Sequence, residues 1–244
     1  MYPVRTLIAV GVLAFLASLL LLTPARLLVK LAPDAVAGRI SQVSGNLWQG
    51  QGRVATARGQ WDVGWDLHAW RLLTLAVDAD WTLSGRGVSA GGAATLTPGG
   101  YRIAVGQGEL GSEFLGRLAS SSVASIDRPL VISGVEIAVA AGGRVEDATG
   151  RLAWGPGTLV MRNRSEPLSL PAVRGMLRAV DGQLRVLVDG EQAPGELLAS
   201  LNVDPAGNRL HLVVTQRGGQ LAGLPPSSSL APDAPFFELK QPLR

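Results

Sequence analysis

The 244-residue sequence contains no cysteine, two histidines (His68 and His211), two tyrosines, four phenylalanines and two lysines (Lys30 and Lys240). Without thiols there is no disulfide staple, zinc-cysteine site, iron-sulfur cluster or cysteine nucleophile. Two histidines leave almost nothing for a histidine metal cluster or a serine triad. Charged residues are scarce as well, at 17% against 47% hydrophobic, which sets the chain apart from disordered sequences. The net charge of +3 arises entirely in the first 30 residues, where Arg5, Arg26 and Lys30 stand without an acid; the rest carries 19 basic and 19 acidic residues. These alternate along the chain instead of clustering, so the electrostatic footprint of a nucleic-acid partner is missing.

What is present is a long apolar run. Residues 6–25 carry no formal charge, and Leu7 to Leu22 is almost wholly aliphatic. At about 1.5 Å per residue, twenty residues span the roughly 30 Å hydrocarbon layer of a bilayer. A cleaved signal peptide needs a small-x-small site close behind its apolar region. The first such triplet, Ala35-Val36-Ala37, lies beyond Arg26 and Lys30, which favours an uncleaved anchor. Arg5 and the α-amino group nearly balance Arg26 and Lys30, so charge does not set the orientation. Long domains cross membranes largely regardless of charge, and a cysteine-free, glycine-rich, strand-patterned body suits the outside of a bacterial inner membrane. The expected organisation is a cytoplasmic tail (1–5), a transmembrane helix (6–25), a linker (26–38), a periplasmic β domain (39–224, with halves 39–124 and 125–224) and a proline-rich tail (225–244).

Beyond the anchor the dominant period is two. Trp61, Val63, Trp65 and Leu67 alternate with polar residues, and so do Leu75, Val77, Ala79, Trp81 and Leu83. Similar alternation occurs at Tyr101-Val105, Leu184-Val188, Leu197-Val203 and Leu210-Val214, each bounded by Gly, Pro, Asn or Asp. The short connections predict a mainly β, mostly antiparallel domain, curved or sandwich-like. Helices are expected at Ser112–Ala119, behind Ser112 as N-cap, and at Pro171–Val180, where Val173, Met176, Leu177 and Val180 share one helical face. Gln192–Gly195 is expected to be a loop, and Leu224–Arg244 an extended or mobile tail. A Gly-x-Leu signature recurs at Gly45, Gly108, Gly150, Gly182 and Gly219, suggesting turn glycines that each feed a strand. The segment Val43–Gly52 also resembles Ala148–Gly157, 105 residues on, hinting at two related halves.

Five of the six tryptophans fall between Trp48 and Trp81. Trp61, Trp65 and Trp81 lie on the inward phase of their strands and are expected in the core. Trp70, with Leu72 and Leu73, lies outside the alternation and is the candidate partner contact. Asp62, Asp66, Asp78 and Asp80 fall on the polar phase of exposed strands, without the desolvating pocket that splits carboxyl pKa values. His68 shares that face, and His211 opposes Leu210 and Leu212, so both are expected to be solvated. Neither serine triplet, at 120–122 or 227–229, has a glycine elbow. The glycines at 85, 87, 91 and 92 lack the lysine and helix of a phosphate loop.

The order of these elements resembles the type II secretion system protein N family (general secretion pathway protein N). Gly45, Leu47, Trp48 and Gly50, then Trp61, Trp65 and Leu67, carry the first part of the likeness, and Gly150, Leu152 and Trp154 the second. Leu170–Val173 and Gln216–Pro225 resemble its C-terminal stretch. The chain departs from the family at His68–Leu73, where a Pro-Leu-x-Leu-like turn is usual. The resemblance implies a non-enzymatic, single-pass inner-membrane protein of Gram-negative bacteria. It would partner other type II secretion components in exporting folded proteins across the outer membrane. It would have no catalytic residue, cofactor or metal. The same architecture also resembles periplasmic AsmA-like proteins, whose curved sheets hold lipid in apolar grooves. An open apolar trough would favour lipid; a face covered by the protein's own elements would favour the scaffold.

Overall fold

The computed structural model describes residues 23–26, 40–56, 59–118, 123–162, 166–221, 223 and 231–242. The expected membrane helix, 6–25, lies outside them apart from residues 23–25, and these three are not helical: Pro24 bridges Asn46 and Ala25 lies in a turn. The first strands are β1 Ile40–Gly45, β2 Gln49–Thr56, β3 Gly59–Leu67, β4 Val77–Gly85, β5 Val88–Thr97, β6 Gly100–Leu110, β7 Val123–Ile126 and β8 Leu130–Ala140. They continue as β9 Val145–Trp154, β10 Gly157–Met161, β11 Leu168–Leu170, β12 Val173–Val180, β13 Gln183–Gly190, β14 Ala193–Asp204, β15 Arg209–Thr215 and β16 Pro235–Pro242. Two short helices, α1 Ser112–Leu118 and α2 Gln216–Leu221, and a 3-10 segment, Ala69–Thr74, complete the described chain.

Thirteen strands form one meandering sheet in the order β1-β2-β3-β4-β5-β6-β8-β9-β12-β13-β14-β15-β16, and β11-β10-β7 form a separate small sheet. Every strand pair is antiparallel, as the short connections require. The register carries one apolar face across the whole sheet. Val54, Trp61 and Gly85 stand side by side, as do Trp65, Trp81 and Gly92. Farther along, Ile132, Leu152 and Gly175 align, and so do Leu177, Val186, Leu201 and Leu212. The opposite face is predominantly polar. Among the described residues no second large sheet packs across the apolar face, so the domain is a curled sheet and not a sandwich.

The curl centres on β12. Cα atoms of β9 and β13, its two neighbours, approach within 8 Å, closer than the roughly 9.5 Å of second neighbours in a flat sheet. Gly175 permits this: a Cβ there would meet Leu152 Cβ at 3.2 Å and Val186 Cγ1 at 3.4 Å. Side chains on either flank therefore converge, and Val135, Leu177 and Val186 form a buried cluster joined by Val105, Ile132, Leu152 and Leu201.

Several expectations need correction. Pro171–Val180 is not helical: from Val173 onward it is the strand β12, flanked on both sides, and Val173, Gly175, Leu177 and Ala179 fit a period of two as readily as Val173, Met176, Leu177 and Val180 fit a helical face. Pairing with β9 and β13 satisfies its backbone, and that tertiary context decides the ambiguity. Leu75 is not a strand residue either; it caps the 3-10 segment in the left-handed region at φ 56°. The loop expected at Gln192–Gly195 is a turn only as far as Gln192, since Ala193 already pairs with Gly190. The five Gly-x-Leu glycines share no structural role. Gly182 does sit in a turn feeding β13, but Gly45 ends β1, Gly108 and Gly150 are mid-strand and Gly219 is in α2. Val43–Gly52 spans the β1–β2 turn, whereas Ala148–Gly157 runs mostly along β9. The helix expected at Ser112–Ala119 forms over Ser112–Leu118, but Ser112 is its first residue and not its N-cap, the Gly111 carbonyl accepting the Phe114 and Leu115 N–H groups. Pro235–Pro242, expected in a tail, is a strand of the sheet paired with β15.

Candidate functional site

Apart from Trp61, which stands at the far end of β3 beside Val54 and Gly85, the first-motif residues converge on the β1–β2 turn. Asn46, whose role the sequence reading missed, makes that turn: its Oδ1 accepts the Trp48 N–H at 2.9 Å and the Gln49 N–H at 2.7 Å. Side chains of this type closing on the backbone two and three residues ahead are a local turn signal. Gly45 enters the turn at φ 94°, where a Cβ would lie 2.4 Å from the Gln49 carbonyl oxygen. Trp65 lies against Gly50, and its indole Nε1–H donates to the Leu47 carbonyl at 3.2 Å. Leu67 N–H donates to the Trp48 carbonyl, fixing the turn to the end of β3.

That turn also holds the segment arriving from the N-terminal side. The Leu47 N–H donates to the Thr23 carbonyl at 2.8 Å, the Ala25 N–H to the Gly45 carbonyl at 3.3 Å, and Pro24 bridges Asn46. Ala25 is 1% exposed. The motif around Gly45, Leu47, Trp48, Gly50, Trp65 and Leu67 is therefore a clamp for residues 23–25.

Immediately beyond Leu67 comes the 3-10 segment. His68 N–H donates to the Asp78 carbonyl at 2.8 Å, and Ala76 N–H to the Arg71 carbonyl at 3.2 Å, so the loop is closed at both ends. Arg71 Nε stands 2.8 Å from Asp78 Oδ2, an ion pair without the alignment of a hydrogen bond. Thr95 Oγ1 donates to the other Asp78 oxygen. Thr95's hydrogen bond, against an opposing push from burial, and then the Arg71 charge hold the Asp78 carboxyl below its ordinary pKa. This loop presents Trp70, Leu72, Leu73 and Leu75 outward, with Trp70 62%, Leu73 89% and Leu75 76% exposed. The Arg71 guanidinium lies 4.6 Å over the Trp70 ring. Leu75 and Arg71 are additions to the contact residues expected from sequence.

The four aspartates do not form a carboxylate site. Asp62 pairs with Arg53 at 2.8 Å, Asp80 with His68 at 3.4 Å, and Gln49 Nε2 reaches Asp66 at 3.5 Å. Asp78 departs from the expectation of an exposed position, its side chain being only 14% exposed beneath Arg71. His211 Nε2 contacts Glu238 at 2.7 Å on the polar face. Hydrogen bonding from Lys240 and His211 holds the Glu238 carboxyl below its usual value. Among the described residues there is no group of three His, Cys, Asp or Glu able to hold a metal. A depression of about 740 Å³ at the β13–β16 end is lined mostly by polar and charged residues, among them Arg185, Asn202, His211 and Lys240.

The second-motif residues are structural. Gly150 lets Val135 approach, since a Cβ would lie 2.6 Å from Val135 Cγ2; Leu152 packs into the buried cluster; Trp154 Nε1–H donates to the Arg128 carbonyl at 3.2 Å. Trp61, Trp65 and Trp81 share the apolar face as expected, although they are half-buried because no second layer covers them. Trp61 meets Phe114 of α1 edge to face at 5.5 Å. Over β4–β6 the apolar face stays open at Val77, Leu96, Tyr101 and Ile103. Over β8–β14 it is filled by its own converging side chains.

A family model described as type II secretion system (T2SS), protein N, matches residues 38–226. No curated protein and no solved structure matches the chain. The matched span begins just before β1 and ends after α2, so it takes in every strand of the large sheet except β16.

Proposed function

The chain belongs to the type II secretion system protein N family, and from that membership we propose a non-enzymatic component of the secretion machinery, anchored in the bacterial inner membrane with its sheet in the periplasm. It acts through protein-protein contacts that support export of folded proteins across the outer membrane. The family match carries this reading. An open sheet supports the mechanism, because it ends in two strands, β1 and β16, that have a partner on one side only among the described residues. An exposed edge accepts a partner strand through main-chain hydrogen bonds. The β1 edge is blunted by a register shift between Ser41 and Ser44 and by left-handed Gln42 at φ 53°. The β16 edge carries exposed Phe236 and Phe237 and is the docking edge of this reading.

A second reading, lipid handling, draws on the open apolar face over β4–β6. Photocrosslinking in native membranes from Phe237 and from Ile103 separates the two. Capture of secretion-channel or platform proteins at Phe237 supports the scaffold. Phospholipid captured at Ile103 with nothing captured at Phe237 favours the lipid groove. Gly50 is unsuited as a crosslinking position, since any side chain there collides with Trp65 and the Ser44 backbone.

A further inference from the structure

We propose that the loop His68–Leu75 is a membrane foot: its Trp70, Leu72, Leu73 and Leu75 side chains insert into the headgroup and upper acyl region of the same bilayer leaflet from which the chain emerges. The inference rests on the reading of the apolar run that ends at Leu22 as a membrane span.

The aliphatic run ends at Leu22, and Thr23 is already hydrogen-bonded to Leu47 in the β1–β2 turn. No spacer separates the apolar run from the sheet, because one residue advances the chain at most about 3.8 Å. The turn therefore stands at the bilayer surface. Trp48, in that turn, accepts the Leu67 N–H, and the foot loop begins at the next residue. Strand neighbours lie about 4.8 Å apart and successive residues about 3.8 Å, so two rungs and one residue step put Leu67, at the start of the loop, within roughly 13 Å of Thr23. The polar zone on each side of the hydrocarbon core is some 5 to 7 Å deep, and interfacial apolar side chains reach about 5 to 10 Å into the boundary.

The chemistry matches the location. Single exposed leucines are ordinary on soluble surfaces, but four large apolar side chains within six residues, held outward by a loop closed at both ends, are not. Tryptophan is enriched at the membrane-water boundary, where its ring sits among headgroups, and an arginine beside it can lay its stem on apolar surface while its guanidinium stays wet. Arg71, stacked on Trp70 and tied to Asp78, meets both conditions. The patch continues through Val77 toward Leu96 and Tyr101, neighbours in register on β5 and β6.

The absence of cysteine makes the test clean. Leu73→Cys, and Arg86→Cys in the hairpin at the opposite end of β4, are each introduced into the full chain and labelled with bimane. The chains are reconstituted into vesicles of phosphatidylethanolamine and phosphatidylglycerol, and vesicle flotation reports insertion separately from quenching. The expected result is quenching of the Leu73 label by bromine-labelled acyl chains with protection from aqueous iodide, and the reverse for the Arg86 label. If the chain floats with the vesicles and the Leu73 label is as open to iodide as the Arg86 label, the foot is overturned. Protection of Leu73 from both quenchers also overturns it, because protein then covers the loop. A chain that fails to float overturns the span, and the foot with it. Trp70→Ser combined with Leu72→Ser in the floating chain is expected to return iodide access to the Leu73 label.

Discussion

Trp65 lies across Gly50 so closely that a Cβ at Gly50 would stand 2.5 Å from the indole Cζ2 and 2.7 Å from the Ser44 carbonyl oxygen. The indole could rotate away at the cost of its bond to Leu47, but the Ser44 backbone cannot. Gly50→Ala is therefore expected to destabilise the domain by about 1 to 3 kcal/mol, the range for overpacking. Gly116→Ala, in α1 with nothing within 4 Å of the new methyl, is expected to be neutral or to gain up to about 1 kcal/mol. Urea denaturation of the two variants measures the difference, and equal losses would contradict the account of the clamp.

The buried cluster predicts a gradient across the sheet. Leu177 is buried between Val135 and Val186, where β9 and β13 close over Gly175. Leu177→Ala is expected to cost about 2 to 5 kcal/mol, because its neighbours are held by the curl and the cavity cannot collapse. Leu239, on the edge strand β16, is only partly buried, and Leu239→Ala is expected to cost less than half as much. A thermal scan in which both fall equally would argue against a core centred on β12.

How much of this was legible in the sequence follows from which forces are local. Alternation at Trp61–Leu67 and Leu184–Val188 encodes faces directly, since successive side chains on a strand point opposite ways. The antiparallel order followed from short connections for the same reason. The β12 segment was illegible because Val173 and Leu177 belong both to a helical set with Met176 and Val180 and to an alternating set with Gly175 and Ala179, and Leu152 and Val186, far apart in sequence, decide between them. The clamp was half visible. Its glycines, leucine and tryptophans stood out, but their purpose depends on Thr23 and Ala25 arriving at the turn, which no spacing announces. Trp70 was recognisable as a residue off the pattern, whereas Leu75 was absorbed into a false alternation because its left-handed backbone has no signature in a leucine.

Asp78 ties the foot loop, and its folded-state pKa is lowered, chiefly by the hydrogen bond from Thr95 and then by Arg71. A carboxyl whose pKa falls on folding contributes stability that is fully present above its unfolded value, near 3.9, and that is lost as pH drops through the folded value. Amide exchange in residues 69–76 is therefore expected to be slow and flat near neutrality and to show increased opening in acid below about pH 4. Asp78→Asn is expected to show the opened behaviour already at neutral pH. A loop whose protection in that variant matches the parent at all pH values would sink the role given to Asp78.

Thr215 connects the last two strands. It is buried, its Oγ1 lies 2.8 Å from the Leu197 carbonyl oxygen and 3.0 Å from that of Leu198, the two sharing its one proton, and the same oxygen accepts the Gly218 N–H at 3.1 Å. Because that oxygen caps the first turn of α2, Thr215→Val keeps the shape and removes the cap, at a cost of about 1 to 2 kcal/mol. The loss should stay local. The next two residues, Gln216 and Arg217, donate their N–H groups to the Ala234 and Pro232 carbonyls at 2.9 and 3.0 Å, and so lead the chain into β16. Hydrogen exchange is expected to rise across Phe236–Gln241 while β12 keeps its protection, since partial opening follows the weakest boundary. If exchange rises equally in β12 and β16, the edge strand is not an independently releasable unit, and a docking edge that can be tuned through α2 has no basis.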